Sequence, residues 1–318
     1  TDGGERHSYD ILIVAMGIQM DWDKIKGLPE TLGRNQVCSV YGYQASEDTF
    51  ATLKRFTGGT AVFTAGSTPV KCGGASQKIM YLSDAYFRRT GVRDRTKIIF
   101  ASAGTTIFGV PGFKEALQKV VDDRGIDARF HHELIAVDGP GKKATFQVRL
   151  FQNGEQVGTE ERVLEFDILH VVPPQSAPDV IKTSPLAIPS GKLAGWLDVD
   201  HHTLQHVRFK NVFGLGDVCG LPTAKTGAAV RKQVPVVVAH IMDALANKSS
   251  GTVERYNGYS ACPILTDDRH VLMAEFEYGN KPSPSFFFDT TKPRWSMYLL
   301  KHYFLPWFYW NRMLKGKG

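Results

Sequence analysis

Apolar residues along this chain fall into two kinds of run, and the difference between them predicts the architecture. Tyr9 to Ala15 is a short β-branched run closed by Met16-Gly17, the pattern of a strand buried on both faces of a parallel sheet. Gly59 to Thr64 (GTAVFT) and Lys97 to Ala101 (KIIFA) repeat it. Between these two, the loop Ala65 to Gly74 leads into a predicted helix from about Ala75 to Thr90. Ile79, Leu82 and Tyr86 share one face of it, and Gly91 supplies the stop. A second helix is predicted from Phe113 to Arg124, ending at Gly125. Strand, loop, helix, strand and helix in this order give the spacing of a doubly wound α/β fold.

Ala144 to Leu150 (ATFQVRL) instead alternates apolar and polar residues, which predicts a half-exposed antiparallel strand. Glu165 to Val172 and Asn211 to Leu215 return to the buried pattern. A long helix is predicted from about Lys225 to Leu245, bent at Pro235, where an internal hydrogen bond is lost. Internal repeats and low-complexity linkers are absent from the sequence. Two interleaved sheet domains plus a C-terminal appendage is the simplest partition.

At 318 residues, with 42% apolar and 22% charged side chains, the chain supports a real core, which excludes disorder, collagen and disulfide-stapled miniproteins. It begins at Thr1, and no charged-then-apolar leader precedes Tyr9, so it reads as a fragment or processed product without a secretory signal. The net charge is +6, and position matters more than size. Thr290 to Gly318 holds no acid but six bases, Lys292, Arg294, Lys301, Arg312, Lys315 and Lys317, which equal the whole excess. The body is neutral, so nucleic acid is a poor partner. Four cysteines, Cys38, Cys72, Cys219 and Cys262, are too scattered for a structural framework or a metal site, and the expected compartment is reducing.

Three local patterns bear on chemistry. Asn211 to Asp217 (NVFGLGD), then Leu221 to Ala229 (LPTAKTGAA), delivers Gly216-Asp217 to the carboxyl end of a buried strand, where doubly wound sheets bind ligands. Asp217 suits sugar-like hydroxyls, and the helix beginning near Lys225 aims its positive end at an anion; an Asp that merely caps the next helix is the plainer reading. In the second domain, Gly66 to Ala75 (GSTPVKCGGA) stands where a nicotinamide-binding relative carries a glycine fingerprint. Pyrophosphate would meet proline and lysine there, which argues against a nicotinamide cofactor. Within that loop Cys72 follows Lys71 at a helix start, an environment that favours thiolate. Cys262 sits in the turn-rich stretch Tyr256 to Pro263. An inert buried cysteine is the ordinary alternative for each. His201, His202 and His206 lack a third ligand at metal spacing and read as a solvated turn, so no metal is expected.

The strand Tyr9 to Gly17 and the strand and helix around Asp217 resemble the returning part of the FAD domain in flavoproteins with two dinucleotide-binding domains. The GxGxxG strand that opens that domain is not in the sequence. The stretches TPVKCGGASQKIMYLSDAYFRRTG, LGDVCGLPTAKTGAAVRKQ and YNGYSACPILTDDRHVLMAEFEY, with the aromatic C-terminus, resemble the mitochondrial-type sulfide:quinone oxidoreductases over nearly the whole chain. The resemblance implies two Rossmann-like domains of FAD/NAD(P)-binding type, the first incomplete, plus a C-terminal membrane-associating helical segment. Residues 1–45 are then a remnant of the FAD domain, 46–172 the second domain, 173–248 the returning FAD part and 249–318 the C-terminal redox and quinone segment. It further implies Cys72 and Cys262 as the redox pair, bridged at rest, with Gly17, Asp217 and Lys225 binding FAD. Hydrogen sulfide is the implied substrate, ubiquinone the electron acceptor, and glutathione or sulfite the sulfur acceptor. Cys38 and Cys219 have no implied role and read as packing residues. A homodimer stays open.

Trp295 to Trp310 contains eight aromatics with Lys301 interleaved, which suits a lipid headgroup boundary. Its longest apolar run, Phe304 to Trp310, is far below the roughly 20 residues needed to span a bilayer. The expected location is therefore peripheral, at the mitochondrial inner membrane or the cytoplasmic face of a bacterial plasma membrane. Two other readings are carried: an NADH:quinone oxidoreductase of related fold, which NADH rather than sulfide would reduce, and a non-catalytic fragment, which would hold no yellow flavin.

Overall fold

The computed structural model describes residues 3–246 and 254–317. It divides into two compact units, one of Thr1–Gln19, Ser176–Ala261 and Phe276–Gly279, the other of Met20–Gln175, Cys262–Glu275 and Asn280–Gly318. The expected boundary at 248/249 falls outside the described residues.

The larger unit is built on a five-stranded sheet in the order Val37–Cys38, Ile168–His170, Gly59–Ala65, Thr96–Ser102, Asp127–Arg129. Every pairing in it is parallel. Because Val37–Cys38 pairs into this sheet, residues 20–45 belong with the larger unit. One face is covered by an antiparallel sheet of His132–Asp138, Lys143–Gln152 and Glu155–Glu165. Its inward Ala144, Phe146 and Val148 share a core with Val62, Ile99 and Leu169, as the alternation in ATFQVRL predicts. Residues 165–172 are not one strand: Glu165 ends the antiparallel sheet, and only Ile168–His170 is parallel. The break falls at Asp167, whose carboxylate accepts from Thr60 N–H at 2.9 Å and replaces a ladder bond.

The helix Ala75–Arg89 occupies its predicted span, but Ile79, Leu82 and Tyr86 are only half-buried. The inward face is instead Met80, Tyr81, Ser83, Asp84 and Phe87. Asp84 is fully buried because Arg93 Nε (2.6 Å) and Arg88 Nε (3.0 Å) donate to its carboxylate. The aromatic C-terminus forms three successive helical pieces, Trp295–Leu299, a π-helical turn Leu300–Phe304, and Leu305–Asn311.

The smaller unit centres on a parallel pair, Leu12–Val14 with Val212–Gly214. Val14, Phe213, Trp196, Leu197, Val236 and Tyr256 form its core. The first strand is not buried on both faces: it has one partner strand, and Ile13 is 49% exposed. The long helix spans Gly227–Leu245 with Pro235 inside it, starting two residues later than expected. Thr226 is its N-cap, its hydroxyl accepting from Ala229 N–H at 3.1 Å. Among the described residues, no helix is long and apolar enough to cross a membrane. His206 is buried rather than solvated, because its ring bonds the Leu186 carbonyl (3.1 Å) and accepts from Arg208 N–H (3.0 Å).

Candidate functional site

Two groups of residues stand where the sequence reading expects chemistry, one in each unit. In the larger unit the loop after Gly59–Ala65 leaves the carboxyl edge of the parallel sheet and reaches Cys72, whose backbone is left-handed at φ 52°. A non-glycine residue rarely adopts that conformation, and such positions collect at functional sites. The strand Ser260–Leu265 brings Cys262 to the same place. Its alternating burial turns Cys262 and Ile264 inward, and Pro263 is tolerated because the strand lies at the edge of its sheet. The two segments approach closely at Gly74, where an added Cβ would lie 3.2 Å from Ile264 Cγ1.

The two thiols are free, and they lie close enough to shift each other's proton affinity. Their proton affinities are driven apart. The Cys262 thiol donates to Cys72 and the Lys78 ammonium stands beside it, which together pull the Cys72 pKa down to about 5 against the opposing effect of burial. Cys262 is pushed well above the usual thiol range, by that same hydrogen bond and then by burial, although Gly74 N–H donates to it. Lys78 Nζ lies 2.9 Å from Cys72 Sγ. The cation at the thiolate is thus Lys78, one helical turn downstream, rather than the neighbouring Lys71 that the sequence suggests; the Lys71 backbone N–H bonds Gln175 Oε1 at 2.9 Å.

Two residues of this group have no sequence pattern to announce them. Lys301 lies in the π-helical turn with its pKa lowered by burial and by the like charge of Lys78, and raised in part by Cys72. It is half-buried and feels the charge of Cys72, unlike the exposed aromatics around it. Tyr41, three residues past the Val37–Cys38 strand, is held well above the ordinary phenol range by burial and by the charges of Cys72 and Cys262.

In the smaller unit, Gly17 (φ 75°) follows Leu12–Val14, and Gly216 (φ 78°) with the half-buried Asp217 follows Val212–Gly214. The sheet pairing brings these two strand ends side by side. Nothing lies within 4 Å of a Cβ built on Gly17 or on Gly227 at the start of the long helix, so both approaches are open to a ligand. Lys225 is not aimed outward. Its Nζ donates to the carbonyls of Asp217 (2.6 Å) and Cys219 (2.9 Å) and sits 3.7 Å from the Trp196 ring centroid. Burial lowers its pKa to about 8. It locks the turn that presents Asp217. Cys219 and Cys38 are fully buried, each thiol pushed up to about 12 by that burial, as expected of packing residues.

No family model matches this chain. Individual relatives do. It is 45% identical over 316 residues to the mitochondrial sulfide:quinone oxidoreductase of Mus musculus, covering 99% of this chain and 68% of that protein. The Dictyostelium discoideum protein of the same name is 40% identical over 320 residues, covering 100% of this chain and 67% of that protein. Among solved structures, the sulfide:quinone oxidoreductase of Aquifex aeolicus has the same fold, with TM-score 0.76 at 17% identity over 97% of this chain and 70% of that one. On the identity and coverage of these relatives, the chain belongs to the sulfide:quinone oxidoreductase family.

Proposed function

We propose that this protein oxidises hydrogen sulfide and passes the electrons to ubiquinone, with Cys72 and Cys262 as the redox pair. The observation that carries this reading is the approach of two cysteines from distant parts of the sequence, each shifting the other's proton affinity, Cys72 downward and Cys262 upward. In thiol–disulfide exchange the thiol of lower pKa is the better leaving group. The order of affinities therefore selects which sulfur is attacked. Hydrosulfide attacks Cys262 Sγ of the bridged pair: a new S–S bond forms on Cys262, the Cys72–Cys262 bond breaks, and Cys72 leaves as thiolate with the electron pair. Lys78, at 2.9 Å, stabilises that thiolate. Glutathione or sulfite then attacks the outer sulfur of the Cys262 persulfide and departs carrying it, leaving Cys262 reduced. The positive charge of Lys78 and Lys301 favours such anionic acceptors.

FAD fits the smaller unit on the strength of the half-buried Asp217 at a strand end and the open space at Gly17 and Gly227. Asp217 would accept from the cofactor's hydroxyls, the unblocked start of the Gly227–Leu245 helix would face its anionic part, and Lys225 would hold the Asp217 turn in shape. When bound, FAD supplies the acceptor for the electron pair and its relay to quinone. The exposed Trp295, Tyr303, Trp307 and Trp310, among the basic residues of the same segment, suit the surface of the mitochondrial inner membrane, from which a quinone is collected.

The test is sulfide-driven quinone reduction by the flavin-loaded protein carrying Cys72→Ser or Cys262→Ser. Both substitutions should abolish turnover. Parental turnover by Cys262→Ser defeats the assignment.

A further inference from the structure

Tyr41 presents a contradiction in its packing. The residue is 5% exposed, yet its hydroxyl has no hydrogen-bond partner among the described residues. Burying a hydroxyl without a partner is costly, and such groups in native folds call for an explanation. Phenylalanine would fill the same space without that cost.

The fold fixes where the segment carrying this hydroxyl lies. Ile168–His170 is the strand between Val37–Cys38 and Gly59–Ala65, with His170 opposite both Cys38 and Phe63. The segment carrying Tyr41 and the loop carrying Cys72 therefore leave the same carboxyl edge of the sheet, where doubly wound folds place their ligands. The Tyr41 segment is held there by its own bonds: Val40 N–H donates to His170 Nε2 at 3.1 Å, and Tyr41 N–H to Ser39 Oγ at 3.3 Å. Burial first, and then the charge of the Cys72 thiolate, oppose ionisation of the ring, so it stays a neutral O–H donor. The cations Lys78 and Lys301 supply charge at the same sulfurs but carry no fixed, neutral donor.

We propose that the Tyr41 hydroxyl is a catalytic hydrogen-bond donor for the substrate's sulfur, first as hydrosulfide and then as the outer sulfur of the persulfide. The O–H bond stays intact throughout. The group orients the anion and offsets its charge while Lys78 serves the departing Cys72 thiolate. This assignment rests on the reading of Cys72 and Cys262 as the redox pair.

The test is steady-state kinetics of the flavin-loaded Tyr41→Phe protein, with Cys72→Ser prepared in parallel. A hydrogen bond to a charged partner is involved, so kcat/KM for sulfide should fall roughly ten- to hundredfold, while KM for quinone stays within about twofold. The thermal midpoint should hold or rise, because removing an unpartnered buried hydroxyl relieves a penalty. An unchanged kcat/KM for sulfide, with Cys72→Ser inactive, overturns the role of Tyr41 alone. A lowered thermal midpoint, or an equal loss in the quinone KM, marks a packing role and overturns it too. Full activity in Cys72→Ser overturns both readings together.

Discussion

Replacing Lys78 by methionine tests the electrostatics of the sulfur group most directly. The side chain keeps similar length and loses the ammonium that stands 2.9 Å from Cys72 Sγ. A hydrogen bond to a charged group contributes about 1.5–3 kcal/mol, and about 1.4 kcal/mol corresponds to one pKa unit. Cys72 starts at about 5, so its midpoint should rise by roughly one to two units, to roughly 6–7. It should remain below the ordinary thiol range, because the largest support, the hydrogen bond from Cys262, persists. The assay is alkylation of the reduced protein by iodoacetamide as a function of pH, with modification at Cys72 followed by mass spectrometry of its peptide. Lys71→Met, which removes the cation adjacent in sequence, should leave the midpoint near about 5. A midpoint unmoved in Lys78→Met, or moved equally in Lys71→Met, refutes the reasoning.

Two further predictions concern acid stability and lipid. Burial holds the His170 ring down to about 3 from an ordinary 6.5, so below pH 6.5 the unfolded chain takes up a proton that the folded chain refuses. Stability should fall as pH drops through that window, by about 1.4 kcal/mol per pH unit from this group, and His170→Gln should flatten the acid limb of the thermal midpoint by about one proton. Identical limbs in the two proteins contradict this. Trp307 and Trp310 are 53% and 65% exposed; replacing both with alanine should weaken sedimentation with anionic phospholipid vesicles roughly tenfold or more, and undiminished binding removes the membrane role of the segment.

The parallel strands at Gly59 and Lys97 are legible in the sequence because burial on both faces writes a continuous apolar run. The inward face of the Ala75–Arg89 helix is not, because Ser83 and Asp84 are buried through hydrogen bonds and ion pairs that apolar periodicity does not register. His206 is concealed in the same way by backbone partners. The pairing of Cys72 with Cys262 is suggested by family resemblance, and no spacing rule joins residues 72 and 262. Its supporting cation is misread when adjacency stands for proximity: Lys71 is next to Cys72 in the chain, whereas Lys78 returns to it around one turn of helix. Tyr41 follows a two-residue strand, too short to leave a pattern.

The π-helical turn Leu300–Phe304 gives the C-terminal segment two duties at once. One additional residue in a helical turn rotates everything beyond it by about 100°. Lys301 is half-buried in this turn and feels the charge of Cys72, while Tyr303, Phe304, Trp307 and Trp310 are exposed. Anything that tilts or unwinds this helix also shifts a cation whose charge is felt at Cys72, so the exposed aromatic face and the electrostatics of the sulfur site share one mechanical element.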